Sequence, residues 1–126
     1  MEGVVVEAEV VSGNRLGRKL GFPTANMDIS AREDISNGVY RSTVTIDGVV
    51  YNAMSNVGIR PSVESTGRWL ETHIFDFSGD LYGRTLTVHL VEKIRNERKF
   101  SSVAELRAQL EHDMEYCKME IANENR

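Results

Sequence analysis

The sequence predicts a mainly β protein, an antiparallel barrel or sandwich finished by one C-terminal helix. Three observations predict it. Short apolar stretches alternate with a period of two and are punctuated by turn residues. The dipeptide Asp47-Gly48 sits between two β-rich runs, a strong two-residue hairpin signal. The last stretch switches to steps of three and four.

The elements follow in order. Val4 to Val11 is rich in β-branched residues, interrupted by Glu7 and Glu9. Val39 to Ile46 and Val49 to Met54 flank the Asp47-Gly48 turn. Trp69 to Phe77 alternates, with Leu70, Thr72 and Ile74 on one face and Glu71, His73 and Phe75 on the other. Ser78-Gly79-Asp80 then turns the chain, and Thr85 to Glu92 aligns Leu86, Val88 and Leu90. Val103, Leu106, Leu110, Met114, Cys117 and Ile121 form one apolar face of an amphipathic helix. Ser102 and Glu105 make a capping box before it. The helix is expected to pack on the barrel wall, its Met and Cys filling core. Ala122 to Arg126 is polar and expected to fray.

Composition bounds the function. A chain of 126 residues suggests one domain, 1–126, with a barrel over about 3–100 and a helix over about 102–121. Its net charge of −4 argues against a general nucleic-acid-binding surface, although Arg15, Arg18 and Lys19 form a local basic patch. Cys117 is the only cysteine, so an internal disulfide is excluded. The N-terminus lacks the charged and apolar regions of a signal peptide, and no apolar run reaches membrane-spanning length. The expectation is a cytoplasmic protein with neither membrane nor nucleic-acid partner.

The most informative stretch is Gly21-Phe22-Pro23-Thr24-Ala25-Asn26. Pro23 fixes its own φ and pushes Phe22 into an extended shape. If the chain stays extended, Thr24 and Asn26 point to one side. Two readings stand at this level: a Pro-led turn with local hydrogen bonds, or a pair of oxygen ligands for a hard cation or a phosphate. Just upstream, Gly13 and Gly17 alternate with Arg15, Arg18 and Lys19. Glycines let a backbone approach an anion, so the loop is a candidate nucleotide site. It is not a Walker A loop.

Glu71 lies mid-strand with Trp69, His73, Phe75 and Phe77 on its face. It reads either as a partly desolvated general base or as part of a solvated face. His73 is a second candidate whose ordinary role would be structural. Asn56-Val57-Gly58-Ile59-Arg60-Pro61 reads as a turn-like cluster with a possible anion ligand in Arg60. Asp76, Asp80 and Tyr82 read as hairpin chemistry. Arg95, Arg98 and Lys99 form a basic run before Phe100, either solvated or closing over a phosphate.

Together these residues resemble the riboflavin kinase family, specifically the C-terminal kinase half of bacterial bifunctional riboflavin kinase/FAD synthetases. The resemblance runs from Val4 to about Met119. Leu20 to Asn26 carries its most specific piece, followed by Asn56 to Pro61, Leu70 to Phe77, Gly79 to Gly83 and Ile94 to Phe100. It implies a six-stranded antiparallel Greek-key β-barrel with a C-terminal helix. It implies transfer of the ATP γ-phosphate to the 5′-hydroxyl of riboflavin, with Mg2+ accompanying ATP and FMN as product. Under it, Thr24 and Asn26 look like the magnesium and phosphate ligands and Glu71 like the base. Gly13, Gly17, Lys19, Gly21 and Pro23 look like the nucleotide flap, and Arg95 marks a flap near the flavin.

Departures from the family pattern are Ile59 and Ser62, where Thr is common. No His-x-Gly-His nucleotidyltransferase motif occurs. The expectation is therefore a kinase that stops at FMN, either free-standing or part of a longer bifunctional protein. The alternative is a non-catalytic flavin- or nucleotide-binding barrel.

Overall fold

The computed structural model describes residues 3–11, 20–61 and 66–124. Six strands precede one helix: β1 (Val4–Glu9), β2 (Ala25–Asp28), β3 (Gly38–Ile46), β4 (Val49–Pro61), β5 (Thr66–Ile74), β6 (Thr85–Arg95) and α1 (Val103–Glu124). Every pairing is antiparallel, in the order β1-β6-β3-β4-β5-β2. Three consecutive strands, β3, β4 and β5, lie side by side, and β6 returns to pair beside β3. That is the Greek-key arrangement. The two outer strands come together where the Val11 N–H donates to the Asn26 carbonyl at 2.8 Å. The result is a nearly closed six-stranded barrel.

The Asp47-Gly48 turn is where the sequence places it, and both residues take positive φ, 51° and 81°. That geometry matches the twist of the strands it joins. Other boundaries move. β1 stops at Glu9, β5 runs from Thr66 to Ile74, and Phe75-Asp76 already turns, with Asp76 at φ 57°. The cluster from Asn56 to Pro61 is not a turn but the second half of β4, paired in register with Glu71 to Thr66 of β5, Asn56 opposite Glu71. Its Val57 and Ile59 favour a pleated surface, and the neighbouring strand supplies the partners that local turn chemistry would otherwise replace. Tyr82 N–H donates to Asp80 at 2.9 Å, so that turn is as expected.

Alternation along the strands separates two cores. Val6, Tyr40, Val44, Val57, Leu70, Leu86, Val88 and Leu90 fill the barrel interior with Met27 of β2. In the same interior, three buried hydroxyls make a chain: Ser42 Oγ to Ser55 Oγ at 2.8 Å, and Ser55 Oγ to Thr72 Oγ1 at 2.8 Å. The second core lies outside the barrel. There Leu20, Phe22, Met54, Phe75 and Cys117 are buried, with Leu106, Leu110, Met114 and Ile121 of α1 packed against them. The helix thus docks against Met54 of β4 and Phe75 just past β5 through its predicted apolar face, except that Val103 at its start is exposed.

The Glu105 N–H donates to Ser102 Oγ at 3.1 Å. The Glu105 carboxylate accepts instead from the Ser101 N–H and hydroxyl, at 3.3 and 2.8 Å, so the box is displaced by one residue. At the other end the helix runs on to Glu124 rather than fraying at Ala122. Arg41 of β3 explains this, reaching Glu124 at 2.7 Å and Glu92 of β6 at 3.2 Å.

Burial first, with Asp113 nearby adding to it, pushes the Cys117 thiol up to about 12. A thiolate is the reactive form. Iodoacetamide at pH 8 is therefore expected to alkylate Cys117 in the folded protein at least about a hundredfold more slowly than in denaturant. Equal rates would contradict the packing of α1 on the wall.

Candidate active site

The register of the sheet assembles the site. Asn26 of β2 pairs with Glu71 of β5, Glu71 with Asn56 of β4, Asn56 with Val39 of β3, and Val39 with Arg95 of β6. Directly paired residues share a face, with Cβ atoms roughly 5 Å apart. Because Leu70 and Thr72 point into the barrel, this row lies on the outer wall, beneath α1. Two irregularities in the β3–β6 pairing, at Val39/Tyr40 and Arg41/Ser42, bring Arg95 into it.

A cavity of about 250 Å³ opens on this wall. Thr24, Asn56, Glu71 and His73 line it from the sheet side, with Phe22 and Met54. Arg95, Glu97, Arg98 and Phe100 line it from the segment where β6 leaves the barrel, and Leu106, Leu110 and Asp113 from the helix. An apolar wall with a few converging polar groups is the ordinary form of a small-molecule site.

Thr24 and Asn26 are coupled directly. The Asn26 amide nitrogen donates to the Thr24 carbonyl at 3.2 Å, and the Thr24 hydroxyl faces Asn26 Oδ1 at 3.5 Å. With its nitrogen tied back, the amide turns its oxygen toward the hydroxyl. Two neutral oxygens converging at this spacing fit a magnesium ion, which takes oxygen ligands and keeps several waters. Among the described residues no group of three or more His, Cys, Asp or Glu side chains could hold a metal ion.

His73 holds the neighbouring backbone. Its Nδ1 lies 2.8 Å from the Pro23 carbonyl. A carbonyl only accepts, so the ring proton sits on Nδ1. Phe22 and Phe75 meet the ring edge-on, at centroid distances of 5.3 and 5.7 Å. Burial holds the imidazole below its usual range, and Lys118 pushes the same way against the Pro23 hydrogen bond.

Arg95 is anchored by the helix. Its Nε lies 3.0 Å from Asp113 Oδ1 and its Nη2 2.8 Å from Oδ2, while Nη1 donates to the Asn96 carbonyl at 3.1 Å. Gln109 donates to the same carboxylate at 2.9 Å. Arg98 lies over the Phe100 ring at 4.7 Å and donates to Gln109 at 3.0 Å. The Glu97 carboxylate rests on Gly58 of β4, where an added Cβ would sit 2.1 Å from Oε2. A side chain there would displace the Glu97 carboxylate from its present place.

A family model described as riboflavin kinase, or flavokinase, matches residues 2–121. The chain belongs to the riboflavin kinase family. Among its relatives, the Haemophilus influenzae bifunctional riboflavin kinase/FMN adenylyltransferase is 42% identical over 110 residues, covering 86% of this chain and 36% of that protein. The chain thus spans about a third of that relative's length. A solved Streptococcus pneumoniae chain described as a macrolide-efflux protein matches with a TM-score of 0.81 and 36% identity, over 90% of this chain and 38% of that one. A Trypanosoma brucei riboflavin kinase structure matches at TM-score 0.65 and 20% identity, over 97% and 82% of the two chains, a likeness of fold. No helix of the described residues is long and apolar enough to cross a membrane.

The structure brings Thr24, Asn26 and Glu71 together, with Pro23 beside them. Gly21 stands at the approach to them, exposed, at φ 89°. Gly13, Gly17 and Lys19, with the rest of the basic loop, lie outside the described residues. Arg95 is at the cavity but ends a strand, its donors engaged by Asp113 and Asn96. Sequence reasoning missed Asn56 and Asp113. Reading β4 onward with period two would have put Asn56 on the Glu71-facing wall. Asp113 had its own signal: an acid beside Met114 on the apolar stripe, three residues after Leu110 and four before Cys117.

Asp113 is 3% exposed at its side chain and Arg95 20%. Removing one partner leaves the other charge buried without compensation. Asp113→Ala should destabilise the protein by about 3 kcal/mol, read as a shift of the chemical-denaturation midpoint. A midpoint equal to that of the unaltered protein would show that the pair does not hold the helix to β6.

Proposed function

We propose that the chain is one riboflavin kinase unit, barrel and helix together, transferring the ATP γ-phosphate to the riboflavin 5′-hydroxyl to give FMN and ADP. The observation that carries this reading is the row Asn26–Glu71–Asn56 on the outer wall, with Thr24 joined to Asn26 and the cavity alongside. Family membership supports the reaction class, and the row supports a role for each of its parts. Phosphoryl transfer needs positioning, charge stabilisation on the phosphates and an acceptor for the hydroxyl proton.

Glu71 takes the proton of the 5′-hydroxyl as that oxygen bonds to the γ-phosphorus and the bond to ADP breaks. Asn56, beside it in the row, orients the hydroxyl by hydrogen bonding. Thr24 and Asn26 would hold Mg2+ at the phosphate end through their hydroxyl and amide oxygens. Bound there with ATP, Mg2+ would offset charge on the phosphates. The flavin lies toward Phe22, Phe100 and the helix. Arg95 bounds that side as a fixed cationic wall rather than as a free donor, and Gly13, Gly17, Lys19 and Gly21 belong to the loop on the nucleotide side. The place of action is the cytoplasm, the substrates are small molecules, and neither nucleic acid nor membrane takes part.

The direct test is the product. Purified protein with riboflavin, ATP and magnesium should yield FMN and no FAD by chromatography; absence of FMN would favour a binding module without catalysis. Glu71→Gln keeps the shape and removes the base, so turnover should fall roughly 10²–10⁴-fold with little change in riboflavin affinity. Near-normal turnover removes Glu71 from the role. Asn26→Ala should raise the magnesium concentration that gives half-maximal rate, and an unchanged magnesium titration would reduce the Thr24–Asn26 pair to a structural turn.

A further inference from the structure

The pairing of β2 with β5 stops at Ala25 opposite Thr72. One step further the ladder would set Thr24 opposite His73, but the chain leaves the sheet there, and Pro23 has no N–H to continue it. Thr24 is thus a proposed ligand just beyond the last residue that the sheet positions. What reaches across instead is a side chain: His73 Nδ1 to the Pro23 carbonyl at 2.8 Å, fifty residues away in the chain. The ring is itself held between the edges of Phe22 and Phe75, both buried.

We propose that His73 is a positioning residue for phosphoryl transfer: its imidazole N–H replaces the missing rung of the sheet and sets where the Thr24 hydroxyl stands relative to Asn26 and Glu71. The inference rests on the kinase reading and adds a part to it. His73 touches the Pro23 backbone, not the reacting atoms, so its effect falls on the phosphate end. Glu71, two residues back on the same face, is placed by its own pairing with Asn26 and Asn56 and does not need the clasp.

The test compares two variants. His73→Leu keeps an apolar group between Phe22 and Phe75 and removes the N–H. His73→Asn returns a donor near the place of Nδ1. For His73→Leu, KM for Mg-ATP and the half-saturating magnesium concentration should rise roughly tenfold, the worth of about one hydrogen bond, while KM for riboflavin stays within about twofold. His73→Asn should recover most of that loss.

Unchanged Mg-ATP parameters in His73→Leu overturn the proposal. So does an equal rise in both KM values, or a loss that His73→Asn fails to recover, since a merely structural role predicts either. If His73→Leu does not fold, the tautomer decides. The ring nitrogen spectrum of the unaltered protein should show the proton on Nδ1, and a proton on Nε2 alone overturns the clasp. Failure of the unaltered protein to make FMN would sink the kinase reading instead, which keeps the two failures apart.

Discussion

An open sheet of six strands leaves two edges, and closing it here depends on a strand of four residues. β2 covers β5 with Ala25 to Asp28, then receives the Val11 N–H on the Asn26 carbonyl. One residue therefore serves two surfaces. The Asn26 main chain joins the barrel's edges, while its side chain stands on the outer wall beside Glu71. Placement of Asn26, the proposed ligand that lies within the sheet, follows from closure. A slip of β2 by one residue would turn Asn26 inward and put an apolar neighbour in its place. Met27, fully buried, guards against that slip because it would have to leave the core.

Building the site outside the barrel has a structural reason. Six strands enclose a space that side chains fill, and here Val44, Val57, Leu70 and Val88 leave it without solvent. A ligand cavity needs a second wall, which α1 provides by standing off the sheet on its own apolar contacts. Two ion-pair groups keep that wall in place. Asp113 ties mid-helix to the end of β6, and Arg41 ties the helix end to β3 and β6 through Glu124 and Glu92. The cavity thus lies beside the mid-helix anchor.

Local chemistry made much of this legible. The Asp47-Gly48 hairpin, the alternation around Glu71 and the helix stripe all express constraints within a few residues of one another. β2 was harder to read, because four residues carry too little periodicity to declare a strand, and its partners lie more than forty residues away. The segment from Asn56 to Pro61 carries Asn, Gly and Pro, which speak for a turn. Its Gly58 in fact lies in the ladder opposite Trp69, with the Glu97 carboxylate resting on it, rather than at a chain reversal. The Thr24–Asn26 pair was readable as a motif, but only the register shows that it borders Glu71. Long-range pairs such as Arg95 with Asp113 and His73 with Pro23 leave no trace in local spacing, since each depends on tertiary placement of both elements.

The hydroxyl chain inside the barrel carries a consequence for how this sequence can change. Ser42, Ser55 and Thr72 come from three successive strands, and among the described residues they hydrogen-bond through one another. Ser55, in the middle, serves both neighbours at once. Replacing it by an apolar residue strands two buried hydroxyls, at about 1–3 kcal/mol each, whereas replacing all three by side chains of matching shape strands none. The three positions are therefore bound into one heritable unit. Drift at any of them is gated by the other two, and the route from a polar to an apolar barrel centre passes through intermediates less stable than either end.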